Sequence, residues 1–146
     1  LPFENDSVDF VYIEHGIEHI NQQNVLKFLK EVQRILKVGG VIRIAFPDLT
    51  RIRFIDGHAY NEKFGNGTTL GAMIACVTGW EHQSWWNWDL MSDTCMVAGL
   101  LPDDQNYRPG CSKRIDLQNL EQHWKFTGSK DMYDTETSII EARKCQ

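Results

Sequence analysis

One stretch constrains this chain more than any other: an apolar run, an amphipathic helix and a second apolar run, packed into residues 8–46. Asn5-Asp6-Ser7 is a turn cluster, and Val8 to Ile13 follows it as a short, largely apolar segment bounded by polar residues. From Gln22 to Lys37, Val25, Phe28, Leu29, Val32, Ile35 and Leu36 recur at steps of three and four and line one helical face. Asn21 is placed to cap that helix, and Gly39-Gly40 to end it with a left-handed backbone. Val41 to Phe46 is the second strand, stopped by Pro47. Two strands joined by a crossover helix are parallel, and the crossover is right-handed in almost all cases. The unit therefore predicts an α/β sheet.

The rest of the sequence is less regular. Residues 49–88 read as an irregular insert broken at Asp56-Gly57-His58, Gly65-Asn66-Gly67 and Gly71, with a short helix over Leu70 to Val77. Trp80, Trp85, Trp86 and Trp88 close it, either as the wall of a pocket or as the packing anchor of a lid. Asp89 to Ala98 predicts a helix stopped by Gly99, with Leu90, Met91, Cys95, Val97 and Ala98 on or near its buried side. Asn106-Tyr107 is a brief strand, residues 108–130 are polar and turn-rich, and Thr137 to Ala142 is the last strand. No repeat or linker divides the chain, so residues 1–146 are expected to belong to a single domain, incomplete at its N-terminal side.

Composition excludes several functions. A net charge of -5 argues against general nucleic-acid binding, which needs clustered Lys and Arg. Lys27, Lys30, Arg34 and Lys37 have the spacing of a solvated helix face. No apolar run is long enough to span a membrane. Cys76, Cys95, Cys111 and Cys145 contain no CxxC pair, which fits reduced cytoplasmic thiols better than a zinc site or a disulfide framework.

Several segments, in order, resemble class I S-adenosylmethionine (SAM)-dependent methyltransferases. Leu1-Pro2-Phe3 with Ser7-Val8-Asp9-Phe10-Val11-Tyr12 resembles the approach to that family's fourth strand, and Glu14-His15-Gly16-Ile17-Glu18-His19 the segment just past it. Glu31 to Gly40 is similar to the family's "E-x-x-R-V-L-K-P-G-G", with Val38 in place of Pro. Ile42 to Asp48 resembles the fifth strand and its "P-D" exit. His82-Gln83-Ser84 and the run to Ala98-Gly99-Leu100 resemble the stretch before the sixth strand, and Thr137 to Lys144 the closing strand.

The resemblance implies a partial doubly wound, Rossmann-like sheet: strands four to seven with flanking helices, the N-terminal strands missing. Missing with them are the glycine-rich turn and the acidic strand end that grip SAM in the family. It implies SAM as the cofactor of an intact family member, and methyl transfer to an acceptor that the sequence does not name. This chain alone would lack most of the SAM site. Leu1, Pro2 and Phe3 would lie near the adenine, and Glu14 and His15 beside the methionine part or the reacting methyl group. His15 is the candidate general base, with helix capping as its other role. Asp48, His82 and Trp86 are candidate substrate contacts.

Two other readings stand beside this one. A sheet lacking three strands leaves the edge of Val8 to Ile13 unpaired, which predicts a non-catalytic half-domain that self-associates there. His15-x-x-Glu18-His19 also matches the H-x-x-E-H pattern of a zinc hydrolase. That pattern requires both histidines on one helical face, but it directly follows a strand and Gly16 weakens a helix at its centre. No metal is therefore expected.

Overall fold

The computed structural model describes residues 1–54, 68–105, 107–127 and 129–146. The expected breaks at Asp56-Gly57-His58 and Gly65-Asn66-Gly67, and Asn106 of the brief strand, lie outside the described residues.

The parallel unit forms as its pattern dictates. Strand β1 (Val8–Glu14) leads through a 3-10 turn (Ile17–His19) to helix α1 (Gln22–Ile35), and then to β2 (Leu36–Pro47). Asn21 caps α1, its side chain accepting from the Gln23 amide. Val25, Leu29, Val32 and Ile35 are buried along one stripe. β1 and β2 pair in parallel.

The helix ends two residues earlier than its periodicity suggests, because Leu36 turns extended and already pairs with Val8. Gly39 and Gly40 consequently lie in a bulge of β2, where the register slips between Val8 and Phe10. Gly39 has φ of +83°, and a Cβ on Gly40 would sit 3.1 Å from the Asp9 carbonyl oxygen. Gly40 thus lets the two strands approach, and does not stop the helix.

Past β2 come α2 (Leu49–Ile52), α3 (Thr69–Thr78), α4 (Trp88–Val97), β3 (Leu100–Pro102), a second 3-10 turn (Ile115–Leu117), α5 (Trp124–Thr127), α6 (Lys130–Glu136) and β4 (Thr137–Lys144). The sheet order is β1-β2-β4-β3, with β4 antiparallel to both neighbours. The last strand is therefore an inner one, and six of its eight residues are buried.

The main core packs α1 and α4 on the sheet, joining Leu29 and Val32 to Ile42, Ile44, Met91, Cys95 and Ile140. On α4, Met91 and Cys95 are buried as expected, with Ala98 just beyond its end, but Leu90 and Val97 face outward. Their spacing puts them a third of a turn off the Met91–Cys95 stripe. A smaller cluster of Ile52, Ala72 and Cys76 joins α2 to α3. Tyr107 bridges to Ile139, extending pairing beyond β3.

Arg43 lies in the middle of the buried run of β2 and is itself fully buried. Its guanidinium pairs with Glu121 and with its cross-strand partner Glu141, and donates to the Cys111 carbonyl oxygen at 3.0 Å. The polar 110–121 segment is thereby tied to the sheet.

Candidate functional site

The carboxyl ends of β1 and β2 carry a dense group of ionisable side chains, where open α/β sheets place their ligands. The chain leaves β1 through His15, whose φ of +43° is uncommon for a residue with a Cβ. This turn directs Glu14 and His15 toward residues that arrive from more than a hundred positions away.

The Glu14 carboxylate accepts from the Gln122 amide (2.9 Å), the His123 amide (2.7 Å) and the Tyr133 hydroxyl (2.8 Å). Burial and the bond to Glu14 push the Tyr133 hydroxyl far above its ordinary pKa, so it remains a donor. The His15 ring stacks on His123, with centroids 4.2 Å apart and planes 8° from parallel, and packs against Tyr133. His15 Nε2 lies 3.0 Å from the Thr137 hydroxyl. Burial, followed by the neighbouring histidines, holds His15 well below the usual histidine range, and burial likewise lowers His123. The stacked pair is neutral at physiological pH.

Glu18 stands 3.6 Å from His15 Nδ1. The separation has the form of an ion pair, but burial raises Glu18 to about 8 while it lowers His15. Both groups are therefore largely uncharged at neutral pH, and the contact is a weak one between a carboxylic acid and an imidazole. Neither carboxylate oxygen of Glu18 has a hydrogen-bond partner among the described residues, although the residue is 1% exposed.

The Glu18 carbonyl oxygen accepts from the Gln83 and Ser84 amides, which clamps residues 82–84 beside the 17–19 turn. His82 is held there by a 2.7 Å bond from Nδ1 to the Cys76 carbonyl oxygen, and burial lowers its pKa. Its ring meets the exposed His19 edge-on, with centroids 5.0 Å apart. Glu18, His19 and His82 bring metal-ligand atoms within 4.8 Å of one another. The H-x-x-E-H reading fails geometrically: only residues 17–19 are helical, His15 precedes them, and its Nε2 faces Thr137.

The other residues singled out in the sequence fall in two places. Asp48 is 2% exposed and caps α2, accepting from the Thr50 amide and hydroxyl, the Trp88 amide and the Ser138 hydroxyl. Trp86 is also 2% exposed and belongs to the main core, where Nε1 donates to the Ser84 hydroxyl at 2.8 Å. Both hold the site's segments together from buried positions. Trp80 and Trp85 are the exposed members of the aromatic group, and Trp88 is half-buried against the main core.

Leu1, Pro2 and Phe3 lie at the opposite end of β1 from Glu14 and His15. Arg34, in the last turn of α1, donates to the Leu1 and Phe3 carbonyl oxygens, and the Leu1 amino group pairs with Glu31. A seven-residue strand separates the two ends by about 20 Å. His123 and Tyr133 carried no sequence signal, since each lies in a short polar segment and acquires its role only through the fold.

Comparison with known proteins bears on this arrangement. Residues 1–44 match the methyltransferase domain family. A SAM-dependent methyltransferase from Archaeoglobus fulgidus superposes with a TM-score of 0.58 at 14% identity, covering 97% of this chain and 62% of that one. The fold is that of the class I SAM-dependent methyltransferases.

Phosphoethanolamine N-methyltransferase 2 of Haemonchus contortus, solved with SAM, shares this methyltransferase fold with a TM-score of 0.58 at 20% identity. The match covers 99% of this chain and 35% of that one. The protein complexed with the Haloferax volcanii Trm112 methyltransferase activator gives 0.55 at 18% identity, over 100% of this chain and 57% of that one. The chain thus spans between about a third and two thirds of the length of these structures. No curated protein matches the sequence. Among the described residues, no helix is long and apolar enough to cross a membrane.

The carboxylates at the two strand ends do not fit SAM unaided. Asp48 is saturated by four donors of this chain and three more converge on Glu14 Oε1, so both carboxylates are engaged internally. No glycine-rich turn follows a strand among the described residues, so the main-chain donors of such a turn are also absent from them.

Proposed function

We propose that this chain is one half of a SAM-dependent methyltransferase domain, which in the intact protein transfers the methyl group of SAM to an acceptor. The observation that carries the reading is the near-complete coverage of this chain, 97–100%, by solved structures of that fold, each of which extends well beyond it. Methyl transfer from a sulfonium asks the protein chiefly to align two reactants and exclude water. In this reading Glu14 and His15 form the wall beside the reacting methyl, and His82 faces the acceptor. Asp48 and Trp86 position those segments from behind. The 49–88 segment, with Trp80 and Trp85 exposed, acts as the lid over the acceptor side. Leu1, Pro2 and Phe3 stand apart from this wall, held at the far end of β1 by Arg34 and Glu31.

The test is calorimetric titration of SAM and S-adenosylhomocysteine into this chain and into the protein extended upstream through its glycine-rich turn. The expected result is saturable micromolar binding by the extended protein and none by the 146-residue chain. A folded extended protein that binds neither compound overturns the reading.

A second reading concerns the isolated chain. β1 ends the sheet, and its outer edge has no partner strand among the described residues. Unpaired edges recruit other chains, so the isolated chain would self-associate through Val8 to Ile13. A monodisperse monomer in light scattering, with that strand protected from hydrogen exchange, would count against it.

A further inference from the structure

Glu18 presents a problem that the methyltransferase fold does not solve. A buried polar group without a partner is costly, and native folds almost always supply one. Here both carboxylate oxygens of a side chain that is 2% exposed have no hydrogen-bond donor among the described residues. The groups facing this carboxylate are ligands in kind: His15, His19 and His82, with Glu136 and the Cys76 thiol close enough to perturb it or each other. Among the described residues, no lysine or arginine is paired with it.

We infer that Glu18, His19 and His82 form a binding site for a divalent first-row transition metal ion. Their ligand atoms lie no more than 4.8 Å apart. Bonds of about 2.0–2.2 Å to nitrogen and oxygen require contraction from that spacing, and the exposed His19 is the member free to move. Two features show preparation for ligation. The Nδ1–H of His82 is spent on the Cys76 carbonyl oxygen, which fixes the tautomer with a lone pair at Nε2, the outer-sphere arrangement typical of metal-bound imidazoles. In addition, the Glu18 main chain clamps residues 82–84, so the turn that carries two ligands is tied directly to the segment that carries the third.

Two imidazoles and one carboxylate favour zinc, iron, cobalt or nickel over magnesium or calcium, which take all-oxygen shells. Three protein ligands leave coordination positions open for water or for an oxygen of a bound molecule. This set differs from H-x-x-E-H, since His15 is replaced by His82, contributed from beyond α3. The site does not depend on methyl transfer, and its failure would leave that reading untouched.

The experiment is titration of Co(II) into the 146-residue chain carrying Cys111→Ser and Cys145→Ser, which removes the exposed thiols as competitors. The readouts are visible d–d absorption and calorimetric stoichiometry. One equivalent is expected to bind, to be displaced by Zn(II), and to raise the melting temperature. His19→Ala, at an exposed position that does not threaten folding, should weaken binding at least tenfold, and His82→Ala should do the same. Binding well below one equivalent, or one-equivalent binding that neither variant weakens, overturns the site.

Discussion

Removing the Arg43 side chain should cost this fold a large share of its stability. The guanidinium is fully buried; Nε donates to Glu121 at 2.8 Å, Nη2 to the Cys111 carbonyl oxygen at 3.0 Å, and Nη1 to Glu141. It also lies 6.0 Å from the Tyr107 ring centroid. The outer carboxylate oxygens retain one donor each, Gly110 N for Glu121 and the Ser112 hydroxyl for Glu141. Arg43→Ala would leave two buried carboxylates facing one another with no cation. Breaking a buried ion pair in this way costs about 3–5 kcal/mol, and the second stranded acid puts this case at the upper end. Against a total stability of roughly 5–15 kcal/mol, the melting temperature should fall by about 10–15 °C. Urea unfolding followed by circular dichroism measures the loss, and hydrogen exchange should show residues 110–121 deprotected first. Arg43→Met combined with Glu121→Leu and Glu141→Leu should recover most of the loss, because an apolar replacement of a whole buried network is often neutral. A loss below about 1 kcal/mol in the single variant would refute the argument that this cation holds the 110–121 segment down.

Other outcomes follow from the same geometry. Tyr133→Phe removes one of the donors to Glu14 and should cost about 1–2 kcal/mol in urea unfolding. Asp48→Ala removes an acceptor that joins α2, α4 and β4, and should cost at least about 2 kcal/mol. Burial pushes the Cys76 and Cys95 thiols up to about 12, while Cys111 and Cys145 are exposed. A thiol-exchange reagent should therefore modify two of the four cysteines rapidly, and raising the pH to about 9 should not recruit the other two while the protein stays folded. Gly40→Ala should destabilise by forcing β1 and β2 apart, whereas Gly39→Asn, at a left-handed position with open space around it, should be tolerated in the same assay.

The residues differ in how far their roles could be read from the chain. The parallel unit was legible because Val25, Leu29, Val32 and Ile35 repeat with helical period between two apolar runs, and such a crossover has one handedness. Gly39-Gly40 was misread as a helix stop because a glycine pair serves equally well in a strand bulge; the deciding fact, the Leu36–Val8 pairing, is a tertiary one. The role of Arg43 had no local signal, since nothing near it in the chain reveals carboxylates 78 and 98 positions away. At the site, Glu14, His15 and His82 stood out through their motif context. Their neighbours His123 and Tyr133 did not, because a stacked ring and a hydroxyl donor acquire meaning only when the 122–133 segment folds back over β1. Asp48 and Trp86 were noticed for their chemistry, and the fold adds a buried bonding role that their local sequence does not show.

The inner position of β4 carries a consequence for how the protein is made. Residues 41–47 find their second neighbour only at residues 137–143, so β2 stays half-paired until almost all of this sequence has left the ribosome. Bringing partners together across so long a loop is entropically slow, and topologies dominated by distant pairings fold slowly for that reason. Until β4 arrives, the apolar residues of β2 are an open seam in the nascent chain. Whatever shields that seam during synthesis decides how much of the protein reaches its native state.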